Sequence, residues 1–183
     1  MKILAFIALS VPLTSAFSGP DSIEELVKMA YPDTYQDIEP FKPLPGSPWA
    51  YVSGNDSSIL RIHDLSTTSY PLYPGEVGFG LENSLVEEFP EGTETQIVFF
   101  EGNVMTANTT FDMCQYMVFG ELFCPLPKHL SAESINRTLI IPNNVKAAQY
   151  SFIATAISPE KKLVARFAAM IDLMENAPVH DEL

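Results

Sequence analysis

Basic side chains are few in this 183-residue sequence: 10 Lys and Arg stand against 23 Asp and Glu, a formal net charge of −13. So acidic a chain lacks the basic face that phosphate contacts need, which excludes nucleic acid as a partner. Histidine and cysteine are almost as scarce. His63, His129 and His180 lie far apart and make no zinc-type set with Cys114 and Cys124, so no metal site is expected. There is no Gly-x-Ser-x-Gly elbow and no phosphate-binding glycine loop. His63 and Asp64 are adjacent in an expected strand, where their side chains point to opposite faces and make a poor dyad. With no nucleophile or metal constellation, neither catalytic residues nor a cofactor are expected, and the chain does not read as an enzyme. Long apolar runs are also missing: the one at residues 3–13 is too short to cross a bilayer as a helix.

What is present points to a compartment. Met1-Lys2, the apolar run and the small residues Thr14, Ser15, Ala16 and Ser18 read as a secretory signal peptide over 1–18, cleaved after Ala16 or Ser18. The last four residues, His180, Asp181, Glu182 and Leu183, form a retrieval signal of the HDEL type, read by a receptor of the endoplasmic reticulum. A soluble resident of the lumen is therefore expected. Sequons at Asn55, Asn108 and Asn136 become glycan acceptors there, and disulfides are favoured. The acidic excess lies before residue 128; Lys128, Arg137, Lys146, Lys161, Lys162 and Arg166 could form a basic rim or be scattered solubilising charge.

Residues 19–48 read as a helix followed by a proline-rich arm. Over 21–31, Ser22 and Glu25 make a capping box, and Ile23, Leu26, Val27 and Ala30 share a face. In "EPFKPLPGSP", residues 39–48, four prolines exclude regular structure. Residues 49–175 carry short β-like runs at about 58–66, 76–82, 94–101, 103–107, 112–119, 136–141, 149–157 and 162–174, and 176–183 form a tail. Tyr150, Phe152, Ala154 and Ala156 share one strand face. So do Leu163, Ala165, Phe167, Ala169, Ile171 and Leu173, while Arg166 and Asp172 face away. Seven or eight such strands with no helix after residue 31 predict an all-β chain. Its expected form is an immunoglobulin-like sandwich of two antiparallel sheets behind one short helix.

The succession "LYPGEVGFGL", "EEFPEGTETQIVFFEGNVM", "TFDMCQYMVFGELFCPLPKH" and "LIIPNNVKAAQYSFIATAISPEKKLVARFAAMIDL" resembles the ML lipid-recognition family, and within it most nearly the fungal phosphatidylglycerol/phosphatidylinositol transfer proteins. The family also holds the Niemann-Pick type C cholesterol-binding protein. The resemblance covers about residues 48–174, and its most specific piece is Asp112-x-Cys114 followed by Cys124-Pro125-Leu126. One departure is the lack of cysteines near Ala50–Ser53 and near Ala165, where such proteins usually tie the first strand to the last.

What the resemblance implies is a sandwich splayed enough to admit a lipid's hydrocarbon, with a Cys114–Cys124 bridge pinning a loop at one end of the cavity. The implied ligand is a phospholipid or a sterol, held by a monomer that touches membranes only transiently. Candidate wall residues are Phe79, Leu81, Val98, Phe100, Phe111, Met113, Tyr116, Phe119, Tyr150 and Phe152, although a one-residue slip of any strand exchanges its faces. Lys161, Lys162 and Lys128 are expected to turn the cavity mouth towards the bilayer. A second reading makes the chain an accessory protein of the endoplasmic reticulum that holds a client or receptor. It rests on the helix and proline arm, which lie outside the resemblance and could instead be a propeptide or a cover over the mouth.

Overall fold

In the computed structural model, which describes residues 20–117, 124–128 and 135–175, two antiparallel sheets of unequal width face each other. The expected signal peptide and retrieval tail lie outside the described residues. Strands β1 (Lys42–Leu44), β2 (Ser47–Val52), β3 (Leu60–Thr67), β4 (Gly75–Leu85), β5 (Glu94–Glu101), β6 (Val104–Asp112), β7 (Ile135–Ile141), β8 (Ala148–Ile157) and β9 (Leu163–Leu173) are accompanied by helices α1 (Ile23–Ala30) and α2 (Met113–Met117). The wide sheet has the order β1-β2-β9-β8-β5-β6, and the narrow one β3-β4-β7. The all-β, two-sheet architecture behind a short helix is as expected from the sequence. α2 and a short 3-10 turn at Tyr35–Asp37 are helical pieces beyond residue 31 that the pattern of runs did not provide.

The proline-rich stretch is also different. Rather than excluding regular structure, it supplies β1 and the start of β2, turning at Gly46, whose φ of 77° suits a residue without Cβ. Proline is tolerated because β1 is the sheet edge, where Pro43 lies opposite Tyr51. Pro48 precedes the stretch of β2, Ala50–Val52, that pairs with β9.

The register of the wide sheet fixes its two faces. Phe99 lies opposite Phe152, and Phe152 opposite Ala169, so these share one face. Val98 lies opposite Ile153, and Ile153 opposite Ala168, which puts them on the other. Both faces are apolar. The first looks towards the narrow sheet: Phe79 and Leu81 of β4 pack into the cluster that holds Ala169, Phe152, Phe167 and Ile171. The second is covered by α1, whose Leu26, Val27 and Ala30 pack on Val98, Phe100, Ile153 and Ala168.

α1 forms where the sequence says it should. Ser22 Oγ accepts from the Glu25 amide at 3.2 Å, while Glu25 Oε2 accepts from the Asp21 amide at 2.9 Å. The exposed Lys28–Glu24 pair adds little. Eight residues are too few to hold a helix in water, so docking on the sheet sustains it. Neither the helix nor the proline stretch is therefore a free arm, and the helix lies on the face away from the narrow sheet instead of over an opening between the sheets. Beneath it, Tyr31 Oη and Thr155 Oγ1 are 3.3 Å apart, and Arg166 Nε donates to Thr155 Oγ1 at 3.2 Å. Desolvation holds the half-buried Arg166 guanidinium below its ordinary pKa, against the pull of Tyr31 and Glu39.

Because Leu26 is fully buried between helix and sheet, Leu26→Ala should lower unfolding free energy by roughly 2–5 kcal/mol. Urea denaturation checks this; a midpoint within error of the parent would mean that α1 is not docked.

Candidate functional site

The space between the sheets is built from facing apolar side chains. From the wide sheet come Phe99, Phe152 and Phe167, with ring centroids 5.7 Å apart for the first two and 5.5 Å, edge to face, for the second pair. From the narrow sheet come Phe79 and Leu81. Tyr150 extends the surface into a second cluster with Val77, Ile141 and Ile171, and its hydroxyl donates to the Lys146 carbonyl at 2.9 Å. Burial, and then the Glu101 carboxylate, push the Tyr150 phenol up from its ordinary pKa, so it stays neutral at physiological pH.

Four of the expected wall residues, Phe79, Leu81, Tyr150 and Phe152, meet here. Val98 and Phe100 do not: they lie on the opposite face, under α1. The apolar run Ile97-Val98-Phe99-Phe100 has no polar alternation to mark an inner side, and each face of β5 has its own apolar cover. Phe99 takes the expected place of Phe100. Phe111, half-buried, lies opposite Thr95 near the end of β6, and Met113 packs beside the disulfide with Phe89 and Leu126. Phe119 and the Tyr116 side chain lie outside the described residues. Phe167 and Ile171 were legible as members of an apolar face, but not as parts of this space.

The two sheets approach most closely where β3 lies against β1, β2 and β9. Along β6 and β7 most side chains are exposed. Phe99 is 38% exposed and Leu139, opposite the buried Val77 on the inward face of β7, is 53% exposed. Arg137 lies opposite Phe79, so the same inward strand face carries a cation, with no carboxylate ion pair among the described residues. At the other end of the sandwich, Cys114 and Cys124 are bonded, as expected. The local logic of Asp112-x-Cys114 is a cap: Asp112 Oδ1 accepts from the Cys114 amide at 2.9 Å at the start of α2. Leu126 then exchanges both backbone bonds with Phe89, at 2.9 and 3.1 Å.

Three of the six expected cations lie apart from one another. Lys146 pairs with Glu101 at 2.8 Å, Lys162 with Glu87 at 3.2 Å and Glu160 at 3.5 Å, and Arg166 sits beneath α1. The expected steering by Lys162 is thus opposed by its own acidic neighbours at the disulfide end. Of the sequons, Asn55 has both amide atoms engaged with the backbone of Ile62, at 3.0 and 2.9 Å. Asn108 uses only its oxygen, accepting from Gln96, and Asn136 is exposed. No three His, Cys, Asp or Glu side chains among the described residues converge as a metal site.

A narrow sheet and a wide sheet facing each other across a shared apolar layer make a two-sheet β-sandwich. The chain is similar to the phosphatidylglycerol/phosphatidylinositol transfer protein of Candida albicans, 23% identical over 157 residues that cover 85% of this chain and 79% of the relative. The protein of the same name from Debaryomyces hansenii is 23% identical over 133 residues, covering 72% and 67%. These are the ML-type proteins that the motifs resemble, so motif reading and overall similarity converge. Among solved structures, a Niemann-Pick type C2 protein from Japanese carpenter ant aligns with a TM-score of 0.44 at 10% identity, over 64% of this chain and 95% of that one. No family model matches the chain.

The disulfide closes a separation of 10 residues, for which the chain-entropy model gives about 3 kcal/mol. Replacing Cys114 and Cys124 together by Ser should lower stability by that order, measured by thermal unfolding with and without reductant. Reductant should shift the parent and leave the double variant unchanged.

Proposed function

We propose that the protein is a lipid carrier that holds the hydrocarbon of one phospholipid between its two sheets. The observation that carries this is the mismatch in width: six strands face three, and inward-facing Phe99 and Leu139 are left open where the narrow sheet ends. Leaving an acyl chain in water costs about 0.8 kcal/mol per methylene, so a soluble carrier must bury nearly all of it, and a half-covered aromatic sheet face offers the surface to do so. Names given to the sequence relatives support a phospholipid ligand. Arg137 on the inward face of β7 favours the same choice over a sterol, since a guanidinium pairs well with a phosphodiester and has no such partner on a sterol hydroxyl.

Phe152 touches Phe99 and Phe167 at the centre of this space. Purified protein extracted with organic solvent should yield about one phospholipid per chain, and Phe152→Asp should reduce that at least tenfold, because a carboxylate placed there has no partner. A folded Phe152→Asp variant that keeps its lipid would overturn the reading. So would parent protein that is empty and co-purifies with one protein partner, the result expected of an accessory factor.

The proposed site of action is the lumen of the endoplasmic reticulum, supported by the leader-like start and the His180–Leu183 tail. Deleting those four residues should send folded, lipid-loaded protein into the medium, detected by immunoblot of cells and medium. Retention of the truncated chain inside the cell would mean that another determinant holds it.

A further inference from the structure

The two sheets have four free edges, and two of them are guarded by their own residues. β1 is three residues long and carries Lys42 and Pro43; β3 carries Arg61, His63 and Asp64, with its pairing interrupted between Ile62 and Asp64. Short length, proline, charge and a bulge are the usual protections of an edge against pairing with a strand of another chain. β6 and β7 have far less. Beyond an irregularity at Thr106, β6 pairs regularly from Ala107 to Asp112; its only charged side chain is that terminal Asp112, which caps Cys114. β7 has seven residues and one charge, Arg137, on the strand face turned towards the wide sheet.

Each of these two poorly guarded edges carries a sequon, Asn108-Thr109-Thr110 in β6 and Asn136-Arg137-Thr138 in β7. Both asparagines are exposed, and no hydrogen bond holds their Nδ2 atoms among the described residues; Asn108 only accepts, through Oδ1, from Gln96 Nε2 at 2.9 Å. Asn55 differs. Its Nδ2 donates to the Ile62 carbonyl at 3.0 Å and its Oδ1 accepts from the Ile62 amide at 2.9 Å, so this side chain already occupies backbone groups of the β3 edge strand. Pairing with both groups of one residue uses the Nδ2 hydrogen on the same side as Oδ1. In the planar trans amide that an N-linked sugar makes, the sugar carbon takes the place of that hydrogen. A glycan on Asn55 and the Asn55–Ile62 pair therefore exclude each other.

We propose that Asn108 and Asn136, and not Asn55, carry N-linked glycans, and that these cover the two sheet edges that the residues themselves leave unguarded. This rests on the lumenal reading. The donor is an oligosaccharide joined through its anomeric carbon to a lipid diphosphate. The carbon–oxygen bond to the diphosphate breaks, a carbon–Nδ2 bond forms, Nδ2 gives up one proton to solvent, and the lipid diphosphate leaves. A bulky, hydrated glycan beside the free backbone groups of β6 or β7 blocks the approach of a further strand where charge and proline are missing.

Occupancy is tested on full-length protein expressed in cells that perform N-glycosylation, by peptide mass mapping after a glycosidase that converts a glycosylated asparagine to the acid. The acid should be found at positions 108 and 136, and the amide should be intact at Asn55. An unmodified Asn108 or Asn136, or a modified Asn55, in a chain that has lost its leader overturns the proposal; three unmodified sites in a chain that keeps its leader defeat the lumenal reading on which it rests. Guarding is read by sedimentation equilibrium. The glycosylated parent should be a monomer, and Asn108→Gln combined with Asn136→Gln, folded by circular dichroism, should at least double in mass at the same concentration. Asn108→Lys combined with Asn136→Lys should stay monomeric without any glycan, because charge protects an edge equally. Trimming the glycans of the folded parent to one sugar per site makes the same comparison where the Gln pair does not fold. A glycan-free Gln pair or trimmed parent that stays monomeric, or a Lys pair that associates as the Gln pair does, overturns the guarding role.

Discussion

The central sheet is apolar on both faces, and the rest of the molecule is organised around that fact. A sheet with two apolar faces needs two covers. On one face a short capped helix is sufficient, because Val98, Phe100, Ile153 and Ala168 form a compact patch that Leu26, Val27 and Ala30 can close. On the other face the cover is a second sheet of three strands laid against six. With neighbouring strands about 4.8 Å apart, three strands fall short of six by roughly 14 Å in width. The closest approach along β3 uses up the narrow sheet on one side, and the apolar surface near β5 and β6 is left for something else to complete.

Much of this was written in the sequence in a readable form. Ser22 and Glu25 announced the helix, the glycine after Glu101 announced the β5–β6 turn, and the alternation over 149–157 and 162–174 marked the faces of β8 and β9 that the structure shows. β5 was legible as a strand but not as to its faces. Alternation marks the inner side of a strand only when the other side meets water, and here Val98 and Phe100 have α1 over them. The same cover hid the meaning of Arg166, which read as a cation facing away from the apolar side of its strand.

Other features depended on relations that local sequence does not carry. Pro43 can sit in a strand because its strand is an edge, and edge status is a property of the sheet. The helix at Met113 replaces an expected strand because Asp112 caps it and Cys114 is tied back to Cys124; hydrophobicity alone, in a run of Met, Tyr and Phe, reads equally well as strand. The inward placement of Arg137 follows from its register with Phe79, and Asn136 and Thr138 on either side gave no hint of it.

The position of β8 has a kinetic consequence. It is hydrogen-bonded on both edges, to β5 and β9, and its middle is covered on both faces. β6 and β7 are edge strands and largely exposed. Opening fluctuations are cheapest where few buried contacts must be given up, so amide protons of β6 and β7 exchange through small excursions while those of central β8 wait for global unfolding. Excursions at that margin leave the β8 ladder intact, so loosening of the edge strands and loss of the fold are separate events on separate timescales.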